Sequence, residues 1–166
     1  MLPLRFALRI TVALLLSFHA FGQGDFVNFE TPHVRPLALT PNEQYLLAVN
    51  TPDNRLEIFE IANGTPVHAG SIPVGLDPVS VSARANGEVW VVNHLSDSIS
   101  IVDLSTLRVK ATLATDDEPC DVVFAGQPKK AFVSCSRGDT ILVFNPTSLS
   151  TAPTQIKLDA QEPRAM

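Results

Sequence analysis

The sequence lacks most of the residues and motifs that carry chemistry. It contains two cysteines and one tryptophan, and charged residues make up 17% of its 166 residues. The Gly-x-Ser-x-Gly, His-Glu-x-x-His and P-loop motifs are absent, as are Cys-x-x-Cys and Cys-x-x-Cys-His spacings. The histidines are scattered singly and form no ligand spacing. We therefore predict no catalytic residue, no metal site and no cofactor within this chain.

Basic residues are scarce as well. Twelve Lys and Arg stand against seventeen Asp and Glu, which gives a net charge of −5 at pH 7. Nucleic-acid phosphates require a basic protein surface, so this balance argues against a nucleic-acid partner. Apolar residues with helical spacing are also absent over any long window, and this favours a chain built from strands.

The longest apolar run lies at the N terminus. Arg5 and Arg9 flank the start of the run at residues 10–18, and residues 20–22 form a small-x-small cleavage site. This pattern predicts a secretory signal at residues 1–22. The apolar run is too short for a comfortable membrane span, so we expect no span after signal cleavage. We expect an exported protein, in the periplasm or at the cell surface.

The remainder of the chain is a repeat. After a polar lead-in at residues 23–32, a proline opens each of three similar units, and these prolines are 42 and 41 residues apart. The proline is followed by a short apolar run and then by two Val/Ile-rich segments separated by a polar turn. The opening prolines are Pro36, Pro78 and Pro119. A fixed period of this length is typical of solenoids, propellers and repeat arrays.

Each unit predicts four short antiparallel strands. The runs are short, rich in Val, Ile and Phe, and bounded by turn residues. In the second unit we expect strands near residues 79–82, 88–93, 98–103 and 108–114. Four such strands every ~40 to 45 residues make a β-propeller blade, and a single β-sandwich is the alternative.

The predicted fold class is therefore all-β, with propeller blades in residues 33–166. We expect units at about 33–77, 78–118 and 119–162 and the start of a fourth at 163. About three blades make an incomplete ring, because closed propellers use about four to eight. Uncovered end blades would expose apolar faces. We therefore expect further blades in the same protein, of which this chain is a fragment, or oligomerisation that covers the end faces.

The repeat resembles the YVTN-type β-propeller family. The strands ending at Asn50 and Asn93, the polar turn after them and the next strand ending in an acidic residue carry this resemblance. It covers nearly all of residues 33–166 and departs at Cys135, where the family has Asn. The resemblance implies a bacterial or archaeal surface or periplasmic propeller.

Function within this resemblance stays open between two classes. The first is a binding or scaffold module of a larger protein, with an unknown protein or small-molecule partner. The alternative is the N-terminal part of a propeller enzyme, because some propellers like this family resemble lactonases and others precede haem-containing domains. In that case the catalytic groups would lie outside this chain.

The two cysteines form the first candidate site. Cys120 opens the first strand of the third unit and Cys135 closes its second strand, so the two ends should lie side by side. An exported protein experiences oxidising conditions, and we predict a disulfide between them. Two buried free thiols are the alternative.

A rim of charged loops is the second candidate site. The linkers between units and the turns after the second strands lie at the same end of the strands. Such a rim could bind a cation or a basic partner, and ordinary solvated loop charge is the alternative. The candidate rim residues are Asp77, Asp97, Asp116, Asp117, Glu118, Arg137 and Asp139.

Four further repeat positions are expected to be structural. Asn50 and Asn93 close aligned strands. Asn54 lies in the turn before the third strand, aligned with Asp97 and Asp139, where a short side chain accepts backbone N–H bonds. Trp90 is expected in the core between blades because of its size.

Overall fold

The computed structural model describes residues 31–166, and the predicted signal segment with most of the lead-in lies outside the described residues. This part of the chain forms twelve strands and no helix. The strands make three four-stranded antiparallel sheets, each built from four consecutive strands. The predicted all-β fold, with four-stranded blades in an incomplete ring, is confirmed. None of the described residues forms a helix that is long and apolar enough to cross a membrane.

Each sheet is one blade, numbered in chain order. Blade 1 contains β1 (Leu37–Leu39), β2 (Tyr45–Asn50), β3 (Arg55–Ala62) and β4 (Thr65–Pro73). Blade 2 contains β5 (Pro78–Ala85), β6 (Glu88–Asn93), β7 (Ser98–Asp103) and β8 (Arg108–Ala114). Blade 3 contains β9 (Pro119–Ala125), β10 (Lys130–Cys135), β11 (Thr140–Phe144) and β12 (Thr154–Lys157).

Blade 2 is covered on both faces by its neighbours. One apolar cluster joins it to blade 1 through residues such as Val91 and Leu47, and a second joins it to blade 3 through residues such as Trp90 and Val133. Because successive side chains of a strand point to opposite faces, β6 supplies residues to both clusters in alternation. All six residues of β6 are buried, including the polar end residues Glu88 and Asn93.

Strand β7 is more deeply buried than its alternating sequence indicates. Every residue except Asp103 is buried, including Ser98 and Ser100. The two serines lie on the face toward blade 1, and Asn93 Nδ2 donates hydrogen bonds to their hydroxyls at 3.2 and 3.0 Å. The hydroxyls are satisfied inside the protein, so a polar residue in this strand does not indicate a solvent-exposed face.

The first strands of the three blades are the innermost, and they lie side by side. Pairing of Pro78 with Asn93 and of Pro119 with Cys135 brings the start of each inner strand beside the end of the second strand. The loops between second and third strands and the linkers between blades therefore lie at one end of the molecule. We call this end the rim; it comprises residues 50–55, 73–78, 93–98, 114–119, 135–140 and 157–163.

Candidate binding rim

A repeated side-chain clamp shapes the rim. In each blade the Asx residue before the third strand accepts a hydrogen bond from a backbone N–H in the linker that leaves the same blade. The three pairs are Asn54 Oδ1 with Asp77 N at 2.7 Å, Asp97 Oδ1 with Glu118 N at 3.0 Å and Asp139 Oδ1 with Glu162 N at 3.1 Å. The same bond therefore joins the turn to the linker at the same position in all three blades.

Both partners of each clamp have left-handed backbone. The φ angles are 45° for Asp97 and 55° for Glu118, and the other two pairs have similar values. Asn and Asp tolerate this region because their side chains bond locally, whereas Glu does not favour it. A second bond in each blade joins the backbones, such as Thr115 N to Asp97 O at 2.9 Å. The clamps therefore give Asn54, Asp97 and Asp139 structural roles.

The side chain of the residue that follows the second strand also joins neighbouring blades. Thr51 Oγ1 donates to the carbonyl of Pro78 at 2.7 Å, and His94 Nδ1 donates to the carbonyl of Pro119 at 3.0 Å. The sequence analysis did not identify these bonds. Their signal is the aligned position after Asn50, Asn93 and Cys135, which carries Thr51, His94 and Ser136, all of which can form hydrogen bonds.

One of the predicted rim acids is buried, and a second is held by hydrogen bonds within blade 3. Asp77 is buried, and its Oδ2 accepts no hydrogen bond from the described residues. Asp116 Oδ2 accepts from Thr140 Oγ1 and Gln155 Nε2, both at 2.9 Å. It also lies so close to Gly138 that a Cβ there would be 2.5 Å from Oδ2, so a larger residue at this position would displace the Asp116 side chain. Asp116 therefore braces blade 3 and is not free to bind a partner.

Arg137, Asp117 and Glu118 form an exposed charged group, and Asp139 pairs separately with Lys157 at 3.9 Å. Arg137 lies 3.4 Å from the carboxylate of Asp117 and 3.7 Å from that of Glu118. The side chains of Arg137 and Asp117 are 70% and 52% exposed. Exposed ion pairs of this kind contribute little to stability, so these side chains can exchange partners at small cost.

Glu118 also approaches a buried histidine and thiol. His94 Nε2 is 3.9 Å from Glu118 Oε2, and His94 Nδ1 is 3.7 Å from Cys120 Sγ. The hydrogen bond with Cys120 raises the pKa of His94, and the Pro119 carbonyl and Glu118 charge add to this against the effect of burial. Burial alone would raise the pKa of Cys120, but hydrogen bonds with His94 and Ser136 outweigh it and lower this pKa.

The two cysteines for which a disulfide is predicted are unbonded in this structure. Cys120 and Cys135 are both free and buried. A β-bulge beside Cys135 sets it opposite Pro119, so the two thiols are not a directly facing pair. Cys120 Sγ instead contacts His94 and the carbonyl of Glu118, and burial raises the pKa of Cys135 to about 12. The alternative of two buried free thiols describes this structure.

Asn93 and Asn50, which end the second strands of blades 2 and 1, have different partners. Asn93 is fully buried beside Gly75, where a Cβ would be 2.6 Å from its Nδ2. Asn50 Nδ2 donates to Asp53 Oδ2 at 2.9 Å, within its own turn. Both side chains hold strand or turn geometry, as their predicted structural role requires.

Trp90 is anchored by a charged group of blade 2. Its indole Nε1 donates to Glu88 Oε1 at 2.9 Å, and Arg84 and Lys110 also bond this carboxylate. Burial would raise the pKa of Glu88, but hydrogen bonds from Arg84, Lys110 and Trp90 outweigh it and lower the pKa to about 2. The ring of Trp90 packs edge-on against Phe124 of blade 3 at a centroid distance of 5.3 Å.

The described residues contain no group of three or more His, Cys, Asp and Glu side chains placed to hold a metal ion. The contacts described at the rim are hydrogen bonds and ion pairs. The rim is thus a set of clamped loops that carries the Arg137 group and the Lys157–Asp139 pair.

Three blades packed in chain order around shared inner strands define a β-propeller-type protein. No protein-family model matches the chain, and no curated protein is similar to it in sequence. Hydrazine synthase of Kuenenia stuttgartiensis is similar in structure, with a TM-score of 0.72 and 20% identity over 86% of this chain and 41% of that chain.

Two further solved structures share the fold. A 6-phosphogluconolactonase-like protein of Bacteroides uniformis has a TM-score of 0.64 and 18% identity over 78% of this chain and 45% of its own. AztD of Citrobacter koseri has a TM-score of 0.62 and 14% identity over 77% of this chain and 36% of its own. The chain thus spans less than half the length of each structure, and identities this low show the fold alone.

Proposed function

We propose that this chain is a YVTN-type propeller segment of an exported surface or periplasmic protein, and that its rim binds a basic protein partner. The observation that carries this proposal is the threefold clamp, which fixes the rim loops, including the one that carries the carboxylates of Asp117 and Glu118 beside Arg137. Rigid loops lower the ordering cost of binding. Acidic charge at such a surface attracts a basic partner and speeds encounter.

The YVTN assignment is supported by residues whose contacts match their repeat positions. Asn93 closes a buried strand and bonds two serines of the next strand, and Asp97 clamps the linker that follows. These contacts give a physical reason for Asn and Asx at aligned sites. In blade 3 Cys135 replaces Asn, and Thr140 and Leu142 stand where blade 2 has the two serines.

The end faces support a need for further blades or a second copy of the chain. Leu37 and Leu39 of blade 1 are 56% and 50% exposed, and Ile156 of blade 3 is 45% exposed. These residues lie in the two blades that have only one neighbour among the described residues. Covering them would remove apolar surface from water, which is favourable.

A peptide titration tests the rim. We expect a decalysine peptide to bind the full chain, with an affinity that falls as salt rises. The double variant Asp117→Asn/Glu162→Gln should weaken binding by about 3- to 10-fold, as expected for two exposed pairs. Neither substitution removes a side chain that clamps a loop, since Glu162 enters its clamp through the backbone.

The matched control neutralises two acids at the opposite end of the strands. Glu43→Gln/Glu60→Gln also removes two negative charges. Glu43 lies in the turn before β2 and Glu60 near the end of β3, which is the end of the strands away from the rim. Binding in this control should remain close to wild type. Equal weakening in the two double variants would show that only net charge matters and would discard the rim as a site.

A second candidate function is the N-terminal part of a propeller enzyme, favoured by the structural similarity to hydrazine synthase and to a lactonase-like protein. On this reading the reacting groups come from blades or domains outside this chain. Sequencing the gene beyond codon 166 tests this alternative. A downstream Cys-x-x-Cys-His motif or converging His and acidic ligands would favour the enzyme. Further plain repeats would favour the binding module.

A further inference from the structure

A buried carboxylate lies among the innermost strands, apart from the rim acids. Asp121 of β9 is 0% exposed and follows Pro119 by two residues. Ser80 of β5 occupies the same position after Pro78, and its Oγ donates to Asp121 Oδ1 at 2.7 Å. The sequence analysis did not single out either residue. Together they place an anion and a hydroxyl where two blades meet on the inner side.

The positive charge that neutralises Asp121 comes from the segment just before β1. Arg35 Nη2 donates to Asp121 Oδ2 at 3.0 Å and to the carbonyl of Met166 at 2.6 Å. The carboxylate also accepts the N–H of Val122 at 2.9 Å and of Met166 at 3.0 Å. Four hydrogen bonds thus satisfy the carboxylate, but only one of its partners is a cation.

Arg35 reaches this position on a short arm that belongs to no blade. Residues 34 and 35 run parallel to β5, where both N–H groups donate to the carbonyl of Val79 at 3.0 and 3.3 Å. Val81 N donates back to the carbonyl of Arg35 at 2.9 Å. The side chain of Arg35 is 36% exposed, whereas that of Asp121 is fully buried. Backbone bonds to β5, a bond between His33 Nε2 and Thr51 Oγ1 at 2.6 Å and the pair with Asp121 hold this arm, so Arg35 can leave only if another cation takes its place.

We propose that Asp121 and Ser80 form a guanidinium-binding site, and that Arg35 is its internal occupant, displaced when a ligand bearing a guanidinium group binds. A buried carboxylate that loses its cation is strongly unfavourable, so the site requires a replacement cation once the arm leaves. A guanidinium is planar and presents several N–H donors, which matches the Asp121 oxygen and the adjacent carbonyl that Arg35 Nη2 bridges.

Calorimetric titration with methylguanidinium tests the site in the full chain. Arg35→Ala should bind one equivalent and wild type at least about 10-fold more weakly, because the tethered arm competes at high effective concentration. Urea, a neutral molecule of similar shape, should not bind. Arg35→Ala/Asp121→Asn should lose the methylguanidinium heat. Equal binding by the single and double variants would overturn the proposal and leave the pair as a structural ion pair.

A second titration separates the two sources of a guanidinium. The tripeptide Ala-Arg-Ala is compared with methylguanidinium on Arg35→Ala. Tighter binding of the tripeptide supports an arginine side chain of a partner as the ligand, and tighter binding of methylguanidinium supports a small guanidino compound. Absence of binding by both contradicts the site.

A measurement on wild type decides the matter if Arg35→Ala does not fold. Added methylguanidinium should speed hydrogen exchange at the N–H of Arg35 and Val81, whose bonds hold the arm. The N–H of Val91, within β6, should not change. Urea at equal concentration is the control. Unchanged exchange at Arg35 and Val81, or an equal effect of urea, would refute displacement of the arm.

Discussion

Blade 2 and its two neighbours share one repeat but differ in burial. At the same position in the blade, β6 has six buried residues of six, β10 has four and β2 has two. The sequences of the three strands are all largely apolar. The difference therefore comes from coverage, because blade 2 has a neighbour on each face and blades 1 and 3 have one each among the described residues.

The sequence of β2 in blade 1 is typical of a strand that is covered on both faces. Leu46 and Ala48 alternate with the buried Leu47 and Val49, yet they are only half-buried. A strand with one solvated face normally alternates apolar and polar residues. The comparison of blades thus points to a cover over the outer face of blade 1, which is the premise of the proposed assembly.

Truncation of the core residue Trp90 should give the largest difference between blades. Trp90→Ala is expected to lower the free energy of unfolding by ~3 to 5 kcal/mol, because it empties the space between blades 2 and 3. Leu39→Ala, on the outer face of blade 1, should cost ~1 kcal/mol or less, since this side chain is half exposed. Urea unfolding of both variants measures this. Similar losses would contradict the difference in coverage.

The loss of stability at low pH should be larger for Glu88 of blade 2 than for Glu57 of blade 1. The pKa of Glu88 is lowered from 4.5 to about 2, so its contribution is present above pH 4.5 and is lost as the pH falls toward 2. The loss should be on the order of 3 kcal/mol. Glu88→Gln should flatten this part of the profile of stability against pH.

Glu57 of blade 1 is the matched carboxylate. Burial opposes ionisation there, but hydrogen bonds from Ser71, His68 and Asn50 lower its pKa. The shift has the same direction in a shallower site, so Glu57→Gln should flatten the acid profile less than Glu88→Gln. Unfolding curves between pH 2 and 7 compare the two, and a larger effect of Glu57→Gln would contradict the comparison.

Loss of a clamp should cost more stability between blades 2 and 3 than after β12. Asp97→Ala loses the bond to Glu118 and places Ala at a positive φ, which together should cost ~1 to 3 kcal/mol. Asp139→Ala carries the same backbone strain but releases only the segment after β12, so its effect should be smaller. Asp97→Asn keeps the acceptor and should be nearly neutral. Thermal unfolding of the three variants provides the test.

His94 should give the smallest effect, with the opposite dependence on pH. Its pKa is raised above 6.5, chiefly by the hydrogen bond with Cys120. Its stabilisation is therefore complete below pH 6.5 and is lost as the pH rises through the folded-state pKa. His94→Gln should remove this dependence. Unfolding at pH 5.5 and 8.5 measures it, and a wild type that gains stability over this interval through His94 would refute the sign.

Local pattern predicted the blades well because a blade is a local structure. The bounds of β6 and β7 agree with the expected residues 88–93 and 98–103, since turn residues and β-rich runs mark both ends. The clamp residues Asn54, Asp97 and Asp139 were identified as structural for the same reason: their bonds are made within the turn or to the next linker.

Contacts between distant residues were not predictable in this way. The disulfide prediction relied on the two strand ends facing each other, and a bulge beside Cys135, which has no sequence signal here, sets Cys135 opposite Pro119 instead. The buried serines of β7 depend on cover from blade 1. Arg35 and Asp121 are 86 residues apart in sequence, and no periodic pattern connects an arm outside the blades to an inner strand.

Hydrogen exchange resolved by strand tests the central claim, that coverage by neighbouring blades and not the repeat sequence sets the burial of each blade. The account predicts the slowest exchange in β6 and β7, faster exchange in β2 and β10, and the fastest in β4 and β12 at the outer edges. Exchange in β2 or β10 as slow as in β6, measured on the isolated chain, would contradict it.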